Sequence, residues 1–406
     1  MSATDSAGRT PRVSATLRQD ERVTPLELFF DLVFVLALTQ CTTLMAHPTL
    51  MGHGTPAWKG LVEGLLVLGM LWWSWVGYAW LTSVVDPEEG TVRLVMFAAM
   101  AAFLIAALCV PGAFGSEALL FACAYAAVRS AHIMLFMLAS RQDEALRRSV
   151  IGLAGSTAIG AGLLFVAAFT DGGVQLGLWG LALVLDAGGP YLFGADGWRL
   201  VPGHFAERHG LIVIIALGES IVAIGVGAQH QIDAGIVVAA VLGVVVAAAL
   251  WWVYFDVTAI VAERRLSRAE PGRERNEIAR DSYSYLHFLM VAGIALLAFG
   301  LKVTLNDVGE HLALIPAAAL LGGAALYLLA HVLFRLRNMH TLSVWRLLCA
   351  VVLLALVPAA VRLPALATLG ILAALLALLI AYEALRYADM RDRVRHQLEP
   401  LAPRGP

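Results

Sequence analysis

Charge is the scarcest thing in this sequence. Asp, Glu, Lys and Arg make up 14% of the 406 residues, while hydrophobic residues make up 60%. A soluble chain of that composition could not cover its own surface, so a water-exposed globule is excluded. Cysteine is nearly as rare. Cys41, Cys109, Cys123 and Cys349 stand apart with no CxxC spacing, which leaves them as small apolar packing residues rather than disulfides or metal ligands. No HExxH, GxSxG, P-loop or dinucleotide fingerprint occurs in suitable context. No metal or cofactor is therefore implied, and no ATP-driven step is expected from this chain alone. No cleavable signal peptide is expected either, because the first apolar stretch is full length. The net charge of −2 says little, since acidic residues do not set membrane orientation.

What the chain has in abundance is apolar runs long enough to cross a bilayer, since roughly 20 residues span the ~30 Å hydrocarbon core. The fold class expected is an all-α polytopic integral membrane protein with about twelve transmembrane helices. The runs lie near 25–45, 58–84, 91–110, 117–139, 149–169, 174–192, 206–228, 233–256, 281–303, 312–334, 343–361 and 365–387. Turn signals such as His47-Pro48, Asp86-Pro87, Pro111-Gly112 and Pro202-Gly203 separate them.

Basic residues test this count, because short cytoplasmic loops collect Lys and Arg. One side receives Arg9, Arg12, Arg18, Arg22, Arg93, Arg141, Arg147, Arg148, Arg199 and Arg208. It also takes the run from Arg264 to Arg280, then Arg335, Arg337, Arg346 and the tail arginines. The other side receives Lys59, Lys302 and Arg362. Both termini are therefore expected in the cytoplasm. The segments 1–22 and 391–406 read as polar cytoplasmic tails, the first one disordered. The Arg-rich loop 262–280 is interleaved with Glu263, Glu270, Glu274 and Glu277, so it reads as a solvated linker and not as a nucleic-acid contact.

Splitting the chain into 23–193 and 194–390 gives halves of equal helix count, expected to be parallel repeats. A shift of 179 residues lays Gln40 on Glu219 and Trp72-Trp73 on Trp251-Trp252. Parallel repeats are a common transporter design, with the substrate site between the halves.

Ionisable groups inside a membrane helix cost roughly 2.5–3.5 kcal/mol each on insertion scales, so they are the functional candidates. Glu219 is expected near the bilayer midplane, with Gly218 and Ser220 leaving room beside it. Glu27 and Asp31 share one face of the first helix, which Thr39 and Gln40 continue deeper. Glu27, three residues after Thr24, also fits a capping box. Arg208 lies three turns from Glu219 on the same side of the seventh helix. Arg93, Arg129, His132, Asp186, Glu207, His209, Asp256, Asp281 and His287 complete the set, most of them expected in the cytoplasmic half. Such groups serve a transport path, or they lock the bundle by pairing across helices. The cluster around Trp72, Trp73, Trp75, Tyr78 and Trp80 stacks on a ligand or forms an aromatic belt. His331 reads as a hydrogen-bonded core residue.

At these same segments the sequence resembles the bacterial low temperature requirement protein A family. VTPLELFFDLVFVLALTQ at 23–40, DPEEGTVRLVMF at 86–97 and GWRLVPGHFAERHGLIVIIALGESIVAIG at 197–225 carry the resemblance. ALWWVYFD at 249–256 and ARDSYSYLHFLMVAGIALLAFGLK at 279–302 extend it. The resemblance implies a multi-pass inner-membrane protein associated by name with growth in the cold. It also implies Glu27, Asp31, Arg93, Asp186, Glu207, Arg208, His209, Glu219, Asp256, Asp281 and His287 as motif positions. The sequence departs from the family pattern at Pro111-Gly112, where an acidic residue is expected after the proline.

The function expected is a secondary transporter or ion/proton-coupled permease for an unknown small solute or ion, working within the lipid bilayer and not on nucleic acid. A membrane-embedded enzyme acting on lipid, with His209 and His287 as acid–base groups, is the first alternative. A noncatalytic membrane protein supporting growth in the cold is the second. No residue is assigned a catalytic role.

Overall fold

The computed structural model describes residues 22–51, 56–192, 197–228 and 232–388. The expected tails at 1–22 and 391–406 lie almost wholly outside them. Among the described residues, twelve long helices occupy the twelve apolar runs. They are α1 (Pro25–Met51), α2 (Ala57–Thr82), α3 (Gly90–Leu108), α4 (Ala118–Ala139), α5 (Glu144–Ala167), α6 (Gly172–Leu192), α7 (Pro202–Gly227) and α8 (Ala234–Phe255). After two short helices, α9 (Thr258–Arg268) and α10 (Arg273–Ile278), come α11 (His287–Asn306), α12 (Leu314–Met339), α13 (Val344–Ala360) and α14 (Ala365–Arg386). Among the described residues, ten helices are long and apolar enough to cross a membrane. The 17-residue α13 is shorter, and α6 falls outside those ten.

The surface is apolar, with Leu94, Leu104, Val184, Val241, Leu378 and Leu385 exposed, and the interior is mostly apolar too but encloses Glu27, Asp31, Arg129, Asp186, Arg208, Glu219 and Lys302. A hydrocarbon solvent selects that arrangement, because charges are tolerated there only when paired and away from the acyl chains.

Several boundaries differ from the sequence expectation, each for a local reason. Pro48 does not end α1, which runs on to Met51, and the proline ring sits over Gly60 of α2, where a side chain would collide with it. Helix α5 starts at Glu144, five residues early, because Asp143 caps it by accepting from Leu146 N at 3.1 Å. Helix α7 starts at Pro202, whose missing N–H costs nothing in the first turn. The 262–280 stretch is not an open loop. It is α9 and α10, followed by a π-helical segment, Ala279–Leu286, that runs straight into α11.

Helix α1 packs on α2 and α3, α3 on α4, α4 on α5, α5 on α6, and α2 touches α4 and α6. The same neighbour scheme recurs from α7 onward. There α7 packs on α8 and α11, α11 on α12, α12 on α13, α13 on α14, and α8 touches α12 and α14. Helices α1, α7 and α11 meet at the centre. The α11–α12 contact is closest at Gly293, Gly300 and Gly323, where a Cβ on Gly323 would lie 2.5 Å from Leu297 N. Small residues let membrane helices approach backbone to backbone in this way.

Candidate functional site

The capping box at the start of α1 forms: Thr24 N and Thr24 Oγ1 both donate to Glu27 Oε2 at 2.9 Å. The other oxygen of Glu27 reaches out of the helix, to His204 Nε2 at 2.8 Å and Arg208 Nη1 at 3.3 Å on α7. Glu27 is therefore both a cap and a network member. Arg208 Nη2 donates to Asp31 Oδ1 at 2.5 Å, and Trp75 Nε1 donates to the same oxygen at 2.7 Å. Thr82 Oγ1 accepts from Arg208 Nη1 at 3.1 Å. One guanidinium thus bridges two carboxylates, a geometry its planar fork suits and an ammonium does not.

A second polar layer lies deeper on the same seam. Thr39 Oγ1 and Thr42 Oγ1 donate to the two oxygens of Glu219, each at 2.5 Å. Lys302 of α11 pairs with Glu219 Oε1 at 3.1 Å and donates to Thr42 Oγ1 at 2.5 Å and Thr43 Oγ1 at 3.3 Å. Contacts in both layers join residues 177 to 181 positions apart, so α1 and α7 run parallel and in register. Glu219 is the eighteenth residue of α7, because that helix begins at Pro202 and not at the expected 206. It therefore lies past the middle of the helix, about 16 Å beyond Arg208 at 1.5 Å per residue.

A third group sits inside the first six helices. Arg129 Nη2 reaches Asp186 Oδ1 at 2.8 Å and Thr157 Oγ1 at 2.7 Å, and Thr157 Oγ1 donates to Asp186 Oδ1 at 2.8 Å. Tyr125 OH donates to the second oxygen of Asp186. His132, one turn from Arg129, is buried with neither ring nitrogen in a hydrogen bond of good geometry.

A fourth cluster is aromatic. His209 and His287 meet edge to face with ring centroids 5.2 Å apart, Tyr283 stacks on His287, and Tyr254 OH lies 2.9 Å from His287 Nε2. His331 is buried with Nδ1 held by Tyr327 O, as expected of a core histidine. Among the described residues no cluster of His, Cys, Asp and Glu has the makings of a metal site.

Other candidates do not join these buried groups. Arg93 is exposed and donates to Glu88 O at 2.7 Å, and Glu207 is exposed and accepts from Val23 N. Arg93 is the fourth residue of α3 and Glu207 the sixth of α7, so both sit near the starts of their helices. Asp256 is half-buried at the end of α8. Asp281 forms a peripheral knot with Arg280, Arg337 and Tyr191. Gln40 is half-buried beside the Glu219 layer, whose hydrogen bonds go to Thr39 and Thr42 instead. Ser220 is buried with its hydroxyl unpartnered. Where the family's acidic residue is missing at Gly112, the Glu117 carboxylate fills the space that a side chain there would need.

Lys302 is the main residue that the sequence reading missed. It counted as a marker of the outer side, although one of only two lysines standing in an apolar run already carries the signal of a buried partner. Thr42 and Thr157 were invisible for a different reason, since each gains its role only from the helix it faces, and Trp75, read as a stacking or belt residue, instead donates to Asp31.

A family model described as bacterial low temperature requirement A protein matches residues 22–381. A curated relative, an uncharacterized protein of Rhizobium meliloti (strain 1021), is 29% identical over 313 residues, covering 74% of each chain. No solved structure matches.

Proposed function

The chain belongs to the bacterial low temperature requirement A family, and from that premise we propose a secondary transporter or proton-coupled permease of the inner membrane. It crosses twelve times with both termini in the cytoplasm and is built from two parallel six-helix repeats. The repeated neighbour scheme of the helices supports the repeats. So does a matched pair of rings: His132 of α4 lies 5.5 Å from Tyr78 of α2, and His331 of α12 lies 5.8 Å from Tyr254 of α8.

The observation that carries the proposal is the Glu219–Lys302 pair, buried among α1, α7 and α11. A proton delivered to Glu219 leaves Lys302 as a buried cation held only by hydroxyls, which costs several kcal/mol. The site then has to release a proton from Lys302, admit an anion or open to water. Each response couples proton occupancy to helix position, which is the minimum a coupled carrier needs. The Arg208 layer closes the cytoplasmic end of the same seam, so its rupture is the step that opens the inner side.

Proteoliposomes loaded with a pH-sensitive dye test this reading. Native protein dissipates an imposed pH gradient faster than protein-free vesicles do, and Glu219→Gln loses that excess while inserting normally. Native-like flux in Glu219→Gln excludes the coupling role.

A further inference from the structure

We propose that Glu219, Thr42 and Thr43 form a binding site for an alkali cation, which takes the place of the Lys302 ammonium. This deepens the reading of the Glu219–Lys302 pair as the coupling site, and rests on it, by naming the ion exchanged there for a proton. Lys302 Nζ faces three oxygens: Glu219 Oε1 at 3.1 Å, Thr42 Oγ1 at 2.5 Å and Thr43 Oγ1 at 3.3 Å. Carboxylate and hydroxyl oxygens are the donors that hard cations take. The ammonium is thus a tethered cation seated in a cradle of oxygen.

The cradle is held together without the lysine. Thr39 Oγ1 and Thr42 Oγ1 each donate to one oxygen of Glu219, so its carboxylate is fixed from α1. Thr43 Oγ1 donates to Thr39 O at 2.8 Å. The protons of Thr42 and Thr43 are therefore spent on other acceptors, which leaves their lone pairs for a cation. Charge sets the class of ion. One carboxylate neutralises one monovalent cation, whereas a divalent ion would leave a buried positive charge uncompensated. The other titratable group near the pair is Cys41, a free thiol buried on α1.

Lys302 is free to withdraw because its ammonium is a point charge on a flexible four-carbon stem. It stands four residues before Asn306, the last residue of α11, a rise of about 6 Å. That end of the bundle is opposite the Arg208 layer. Thr43 is exposed, so the ammonium is one hydroxyl away from the outside of the bundle. The exchange conserves charge. An alkali cation enters between Glu219 and the threonines, Lys302 Nζ gives one proton to water, and the neutral amine leaves the cradle. One cation is bound for one proton released.

The test is thermal unfolding of the full-length protein in detergent, with sodium or potassium chloride exchanged against choline chloride at fixed pH and ionic strength. An ion that binds only the folded state raises the midpoint as its concentration passes Kd. Native protein is expected to show a saturable rise with an alkali ion that choline, too large for the cradle, does not give. Lys302→Ala removes the competing ammonium and should saturate at a lower concentration. Adding Glu219→Gln to that variant should abolish the rise. Thr42→Val should weaken the native response by about tenfold, the worth of one polar contact to a charge. If Lys302→Ala does not fold, native protein and Thr42→Val decide alone. No alkali-specific rise in native protein, or an undiminished rise in Thr42→Val, overturns the proposal. Glu219-dependent proton flux in choline salts, with no alkali response in melting, overturns the cation and leaves the coupling role intact.

Discussion

Each buried charge on the α1–α7 seam has a named opposite, so the cost of removing one is mostly the cost of stranding the other. Arg208→Met leaves Glu27 and Asp31 without the guanidinium they share, while His204 keeps its contact with Glu27. Losing one partner of a buried pair costs about 3–5 kcal/mol, so thermal unfolding in detergent should show a large fall in midpoint. Arg208→Lys should recover only part of it, because one ammonium cannot reproduce the two-ended contact with Glu27 Oε1 and Asp31 Oδ1. Equal stability of the Lys variant and native protein would contradict that geometry. Asp31, Arg208 and Glu219 were legible in the sequence because a charge in an apolar run is costly wherever it points. Their partners were less legible, since Thr42 and His204 look ordinary until α1 and α7 are set side by side.

Among the helices, the tightest approach is between α11 and α12. Gly323→Leu places a side chain where Leu297 N and Gly293 O already lie within 2.6 Å of a single added carbon. We expect that variant to lose its monodisperse peak in size-exclusion chromatography. Gly177→Leu, on an exposed stretch of α6 with nothing within 4 Å, should elute as native protein does. If both behave alike, the contact at Gly323 is not what holds α11 to α12. The runs themselves were readable from hydropathy alone, but several of their ends were not. Pro48 reads as a stop and is absorbed because Gly60 makes room for it, while α9 and α10 hide in a stretch whose charge suggests a linker. Charge periodicity on a short amphipathic helix resembles a solvated loop until the neighbouring helix supplies its apolar face.

At the scale of the whole molecule, the proposed twelve crossings fix which loops should share a side. In a cysteine-free background, Gln142→Cys should react with an impermeant maleimide only when the cytoplasmic face is open. Asp171→Cys should react from the outside in intact cells. Labelling of both positions from one side would remove the twelve-crossing arrangement and the repeats with it. The Trp72-Trp73 and Trp251-Trp252 pairs fall on α2 and α8, which hold corresponding places in the contact scheme of the helices.

The buried carboxylate–ammonium pair either couples protons to movement or only fastens three helices together. The neutral double variant Glu219→Gln/Lys302→Met separates these roles, because it removes both charges at once and leaves neither one stranded. Dye-reported proton flux in vesicles, measured on a variant that inserts and melts like native protein, is the deciding quantity. We expect flux at the level of protein-free vesicles; native flux from that double variant would reduce the pair to a fastener and contradict the proposed mechanism.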